Sequence, residues 1–416
     1  MDVCRRLRVG LVLALLLVIT GACGGIAQRT LASETSSATN TTSGQPAQTT
    51  TTGKPCAQAA SSLADFHIAS WTFASTDDGW ALGSVGPGQS GCATIARSVD
   101  GGRTWAVAPS PSATASGSTC LAVPNCLKGI RFATVSDGYL FGANVFFMTT
   151  DGGATWQQES SEPVVALEAS GGMVYRLVST CPAGQCNEAV ERAAAGTTSW
   201  TTLGAPPEVW SQVVPVSASL VYLLGAGRSS DPVPADAWGD LWRSKDGGTT
   251  WTHLGNPCGS LPTDDSAFDN HVQSGRTIWL AATASTVAAA CVAAQISPGS
   301  AGYQQDVILS EDEGTTFGSL RPVPRLPGFD GTSGIAEIAL ANESDIVAVG
   351  EEGGAQSSFD DGASWTTTIP QPSSYASSSI ERVGFESAST GHVVFPGNTM
   401  WTTVDSGHSW TSHLFS

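Results

Sequence analysis

Ser98-Val99-Asp100-Gly101-Gly102-Arg103-Thr104-Trp105 is the stretch that decides the fold, because it returns along the chain. Close copies stand at Thr149-Thr150-Asp151-Gly152-Gly153-Ala154-Thr155-Trp156 and Ser244-Lys245-Asp246-Gly247-Gly248-Thr249-Thr250-Trp251. Variants follow at Ser310-Glu311-Asp312-Glu313-Gly314-Thr315-Thr316-Phe317, Ser358-Phe359-Asp360-Asp361-Gly362-Ala363-Ser364-Trp365 and Thr403-Val404-Asp405-Ser406-Gly407-His408-Ser409-Trp410. A seventh copy, Ala195-Gly196-Thr197-Thr198-Ser199-Trp200, lacks the aspartate. The aromatic positions 105, 156, 200, 251, 317, 365 and 410 are 51, 44, 51, 66, 48 and 45 residues apart, a spacing that marks repeated supersecondary units.

The residue types describe a hairpin turn. An aspartate accepts turn N–H groups, a glycine supplies positive φ, and a Ser or Thr hydroxyl adds a local bond. The Trp buries its ring under the turn. A catalytic or metal-binding reading would recruit Asp100, Asp151, Asp246, Asp312, Asp360 and Asp405, which lie on six different units; the structural reading is preferred.

A second element precedes the turn. Phe73-Ala74-Ser75-Thr76-Asp77-Asp78-Gly79-Trp80-Ala81-Leu82-Gly83 matches Phe132 to Gly142, with an echo at Phe385 to Phe395. Asp-Gly between apolar runs is a hairpin signal. Second strands are predicted at Val174 to Val178, Leu220 to Leu224, Ile278 to Ala281 and Ile346 to Val349. The 351 residues from Phe66 to Ser416 divide into units of about 50. The expected fold is all-β: a closed ring of seven four-stranded antiparallel blades, a seven-bladed β-propeller.

The motif S-x-D-x-G-x-T-W resembles the Asp-box, or bacterial neuraminidase repeat, of sialidases, sortilin-type receptors and propellers similar to the photosystem II assembly factor family. The resemblance covers nearly the whole head and implies a closed propeller. Through the last group it implies a non-catalytic scaffold that holds a protein client. That family uses a basic patch, whereas this chain is acidic. A sialidase would need an arginine motif upstream of its first Asp-box. The nearest string here, Tyr175-Arg176-Leu177-Val178, lacks the proline and follows two copies. A carbohydrate-binding or sialidase-like glycoside hydrolase is therefore the alternative reading.

The chain of 416 residues carries 18 Lys+Arg against 36 Asp+Glu, a net charge of −18. Such acidity argues against nucleic acid, whose binding draws on phosphate neutralisation by cations. Arg5, Arg6 and Arg8 followed by the apolar run Val9 to Ile19 read as an export signal, residues 1–22. The signal ends in Thr20-Gly21-Ala22-Cys23, which resembles a lipobox and implies lipidation at Cys23 on the outer side of a bacterial plasma membrane. Ordinary secretion with cleavage near Ala22 is the alternative. Removing residues 1–22 takes Asp2 and three arginines, leaving 15 Lys+Arg against 35 Asp+Glu, a net charge of −20. Residues 23–55 read as a Ser/Thr-rich tether with an end-to-end reach on the order of 30 Å, and residues 56–416 as the propeller, expected to be monomeric.

Eight further cysteines in an exported chain suggest disulfides. Spacing suggests Cys120–Cys126 and Cys181–Cys186, which leaves Cys258–Cys291 and Cys56–Cys92, among on the order of a hundred possible pairings. No metal or cofactor is expected from the histidine and cysteine spacing. Long insertions at 84–94, 107–127, 179–188, 226–240, 256–275 and 283–305 are expected on the face opposite the repeated turns. Asp236, Trp238, Asp264, Asp265 and Asp269 in those loops are the candidate partner-binding residues, for a protein in the cell envelope or a glycan.

Overall fold

Among the described residues of the computed structural model, every regular element is a β-strand. The structure describes residues 61–86, 90–116, 125–160, 162–180, 187–204, 210–225, 239–259, 276–295, 303–324, 334–350, 353–370, 382–395 and 399–415. All lie in one unit, Lys54–Ser416.

The first strands are β1 (Phe66–Phe73), β2 (Gly79–Val85), β3 (Ser90–Ser98), β4 (Ala106–Ala108), β5 (Thr114–Ser116), β6 (Cys126–Phe132), β7 (Gly138–Ala143), β8 (Val145–Thr149) and β9 (Gln157–Ser160). Five four-stranded meanders follow. They are β10 (Val164–Ser170), β11 (Met173–Thr180), β12 (Asn187–Ala194), β13 (Thr201–Thr202); β14 (Trp210–Pro215), β15 (Val221–Gly225), β16 (Leu241–Ser244), β17 (Thr252–Gly255); β18 (Arg276–Ala282), β19 (Val287–Gln295), β20 (Tyr303–Ser310), β21 (Arg321–Pro322); β22 (Ile335–Leu340), β23 (Ile346–Gly350), β24 (Ala355–Ser358), β25 (Thr366–Ile369); and β26 (Arg382–Phe385), β27 (Gly391–Phe395), β28 (Thr399–Thr403), β29 (Thr411–Leu414).

The repeat count predicts seven separate blades; five stand alone. The first nine strands instead form one sheet, in the order β1-β2-β3-β5-β6-β7-β8-β9 with β4 also on β3. The cause is β5. It pairs antiparallel with β3 and parallel with β6, which satisfies backbone groups of a chain crossing between two meanders. Its surroundings, rich in Pro, Ser and Ala, show no apolar alternation, so the sequence reads as loop. A second correction concerns Ile278 to Ala281, which belong to β18, the first strand of their blade. Much of the predicted loop 283–305 is the second strand, β19, whose alanine run Ala288-Ala289-Ala290 lacks the β-branched and aromatic residues that mark strands.

Three second strands are buried throughout: every residue of β15, β23 and β27 is buried. Each lies between neighbouring blades, so its two faces are both apolar. Trp80, Leu82 and Ile95 pack with Ile130, Leu140 and Phe147 of the next meander. The ring closes by the same kind of packing. Val394, Met400 and Phe415 join Phe66, Trp71 and Ala96 in one cluster, and the Trp105 and Phe415 rings stack at 4.5 Å.

Six first strands carry a register irregularity within their first few residues, at 68/70, 127/129, 164/166, 210/212, 277/279 and 335/337. Such bulges bend a strand and re-aim its side chains. Gly142 faces one of them, and a Cβ there would lie 2.0 Å from the Cys126 carbonyl oxygen. Gly142→Ala is therefore expected to lower stability by at least about 2 kcal/mol, measured by urea unfolding. A loss under about 0.5 kcal/mol would show that the bulge gives way easily.

Cys258 and Cys291, expected as a pair left over by the close-spaced cysteines, form a disulfide spanning 33 residues. It ties the segment after β17 to the middle of β19. Cys92 and Cys126 each take part in a disulfide as well, while Cys56, Cys120, Cys181 and Cys186 lie outside the described residues.

Candidate functional site

The repeated turn joins the third and fourth strands, and its six aspartate-bearing copies share one geometry. The preceding Ser or Thr hydroxyl donates to the Asp Oδ1 at 2.7–2.9 Å. The same hydroxyl accepts the glycine N–H at 2.7–3.0 Å. Four residues on, a Thr or Ser gives its N–H to Oδ1 at 2.7–2.9 Å. Its hydroxyl donates to Oδ2 at 2.6–2.7 Å. Both oxygens of each carboxylate are thus engaged by their own turn.

Two consecutive residues of each turn are left-handed. The second is always Gly, while the first is Gly101, Gly152, Gly247, Glu313, Asp361 or Ser406. That first residue gives its N–H to the carbonyl of Asp77, Ser136, Ser219, Ser285, Ser344 or Ser389 in the turn between the first two strands, at 2.8–3.2 Å. The two hairpin turns of a unit therefore share a face.

The left-handed pair also links neighbouring meanders, because one of its carbonyls accepts a donor from the preceding one. Trp80 Nε1 reaches Gly152 at 3.1 Å, Arg192 Nη1 reaches Gly247 at 2.6 Å, and Arg243 Nη1 reaches Glu313 at 2.7 Å. Arg321 donates to Asp361, and Ser357 to Gly407. His392 Nε2 reaches Gly101 at 3.3 Å, closing the ring with the same device. In the copy without an aspartate, Gly196 N–H donates to the Tyr139 hydroxyl, and Arg176 lies 4.1 Å over the Trp200 ring. Arg176 also pairs with Glu191 at 2.6 Å and Glu162 at 3.0 Å, so the string singled out against a sialidase motif is packing.

These bonds set the acid response. The Thr155 and Thr250 hydroxyls, then their N–H groups, hold Asp151 and Asp246 down from 3.8 to about 2. For Asp312 the Thr316 N–H contributes most, again to about 2. A carboxylate depressed in the folded state stabilises above its unfolded value and loses that contribution as pH falls through the folded value. Folding stability should therefore drop between about pH 4 and pH 2. Asp246→Asn should flatten part of that drop in urea midpoints; an identical acid profile would contradict this account.

Chemistry-bearing residues that the repeat did not reveal meet in a central channel of about 400 Å³. β1, β6, β10, β14, β18, β22 and β26 each give residues to its wall. Arg131, buried on β6, grips Glu168 of β10 with Nε to both carboxylate oxygens at 3.0 and 2.9 Å and Nη2 to Oε1 at 2.9 Å. Its Nη1 donates to Ser70 Oγ and the Trp71 and Ile130 carbonyls. Arg382 of β26 stands 3.7 Å from the same Glu168. Burial raises the Glu168 carboxyl, although 34% of its side chain still faces the channel, and Arg131 opposes the shift. Lys128 donates to the Val165 carbonyl, and burial, then the Arg131 charge, lowers its amine. Gln212 is held by both ends of its amide on the Leu280 backbone at 2.8 and 3.0 Å. The sequence signal for these residues is a polar side chain inside the otherwise apolar first strand of a unit, as in Gly129-Ile130-Arg131-Phe132.

Asp236, Trp238, Asp264, Asp265 and Asp269 lie outside the described residues, as does Cys23. The adjoining Asp240 is described and holds His253 Nε2 at 2.8 Å. Among the described residues no group of three or more His, Cys, Asp or Glu is placed to hold a metal ion.

No family model and no curated protein matches the chain. Among solved structures, YCF48 bound to a D1 peptide is 14% identical, with a TM-score of 0.52 over 83% of this chain and 95% of that one. YCF48 from Cyanidioschyzon merolae is 13% identical, with a TM-score of 0.49 over 82% and 96%. The Niastella koreensis GH74 enzyme is 13% identical, with a TM-score of 0.33 over 83% and 71%. At such identity, the first of these likenesses is one of fold: a β-propeller.

Proposed function

We propose that the chain is an exported, membrane-anchored propeller that acts as a non-catalytic scaffold for a protein partner in the cell envelope. The carrying observation is that both oxygens of all six repeated aspartates are taken by their own turns. The repeat, which we assign to the Asp-box type, then builds the ring and leaves recognition to the loops of the other face. The nine-stranded sheet counts as two blades, β1–β4 and β6–β9, which brings the ring to seven with one first strand from each lining the channel. A propeller of this fold that carries a D1 peptide supports the idea of a protein client. Asp236, Trp238, Asp264, Asp265 and Asp269 are the residues we assign to that contact, and Cys23 to the lipid.

Purified full-length protein should release no product from sialosides or aryl glycosides. Turnover abolished by Asp264→Asn would move the reading to a glycoside hydrolase. Palmitate labelling lost in Cys23→Ala is the expected result for the anchor, and unchanged labelling would refute it.

A further inference from the structure

Strand register narrows the pairing of the cysteines further than their spacing does. Cys92 on β3 stands opposite Thr114 on β5, and Thr114 stands opposite Cys126 on β6. A whole strand therefore separates the two cysteines, and two inter-strand steps put their Cα atoms about 9–10 Å apart. A disulfide spans at most about 7 Å between Cα atoms. Since both cysteines are disulfide-bonded, each has a different partner. Cys258 and Cys291 are taken by each other, so those partners come from Cys56, Cys120, Cys181 and Cys186.

The ladder between β11 and β12 removes two of these. It runs without a shift from Met173 opposite Ala194 to Thr180 opposite Asn187. Cys181 follows Thr180 and Cys186 precedes Asn187, so the next step of the same ladder is this pair of cysteines. Residues directly opposite on antiparallel strands have Cα atoms about 4.5–5.5 Å apart, within the span of a disulfide.

Cys56 and Cys120 then remain for Cys92 and Cys126. Phe66 stands opposite Val85, and one step beyond Ser84 opposite Ala93 brings Val85 level with Cys92. The chain that enters β1 at Phe66 is thus two strands from Cys92 and four from Cys126. Cys120 belongs to the connection between β5 and β6, just before Cys126. Pairing Cys56 with Cys92 and Cys120 with Cys126 also closes the shorter loops, which costs less chain entropy.

We propose that Cys56–Cys92, Cys120–Cys126 and Cys181–Cys186 are disulfides, beside Cys258–Cys291. The three bonds staple strand ends opposite the repeated turns, and the first fastens the chain entering β1 to β3. Each forms as two thiols give up two protons and two electrons to an incoming disulfide, which leaves as a dithiol; an export compartment supplies such a donor. The pairing follows from strand register and holds whatever the loops bind.

Tryptic digestion of the full-length protein purified from the envelope, with free thiols blocked and disulfides left intact, tests the pairing. Lys54 precedes Pro55 and is not cut, so Cys56 and Cys92 share peptide 30–97, while Cys120 and Cys126 share 104–128 and Cys181 and Cys186 share 177–192. Cys258 and Cys291 fall in separate peptides, 246–276 and 277–325. Mass spectrometry should find each of the first three peptides alone and two hydrogens lighter than after reduction, with 246–276 joined to 277–325. A link between 30–97 and 104–128, a link from 177–192 to any other peptide, or a blocked thiol at any of these six cysteines would overturn the proposal.

Discussion

Arg131→Met is expected to lower folding stability by about 3 kcal/mol, read from urea unfolding of the full-length protein. Arg131 is 6% exposed and joins three meanders: Ser70 and Trp71 on β1, its own strand β6, and Glu168 on β10. Truncation leaves the Glu168 carboxylate in the channel with only Arg382 at 3.7 Å. Breaking one side of a buried pair costs about 3–5 kcal/mol, and the lower end applies because Glu168 keeps solvent contact. Replacing both partners, Arg131→Met with Glu168→Leu, should return to within about 1 kcal/mol of wild type, since no uncompensated charge remains. A double variant as unstable as the single would show that the guanidinium's bonds to β1, rather than the ion pair, dominate.

Trp80→Ala should cost about 3–5 kcal/mol. The ring is fully buried and stacks on Phe132 at 3.7 Å, while its Nε1 donates to Gly152 in the next turn. Trp80→Phe keeps part of the stack and loses the hydrogen bond, so about 1–2 kcal/mol is expected from it. Should both variants lose the same amount, the hydrogen bond between meanders, and not the buried area, would be the larger contribution.

The turn was legible in the sequence because its chemistry is local. Every bond of Asp246 runs to a residue within four positions, so residue type and spacing state it almost completely. The first left-handed position was hidden, since Glu313, Asp361 and Ser406 fill it where glycine was the expected signal. β5 escaped because its pairing answers a backbone need rather than a side-chain pattern. β19 escaped because alanines buried on both faces need no alternation. The channel cluster was illegible for a different reason: Arg131, Glu168 and Arg382 are separated by 37 and 214 positions and meet only when the ring closes. Polar residues within apolar first strands were the available clue, and it becomes readable only once first strands are known to line the axis.

The scaffold reading is tested most directly by photo-crosslinking the membrane-borne chain from position 238 and identifying the product by mass spectrometry. The account predicts one defined envelope protein attached to wild-type protein, with the yield falling at least tenfold when Asp264, Asp265 and Asp269 are all changed to Asn. A product that persists unchanged in that variant, or no protein product beside glycan hydrolysis that the variant abolishes, would contradict it.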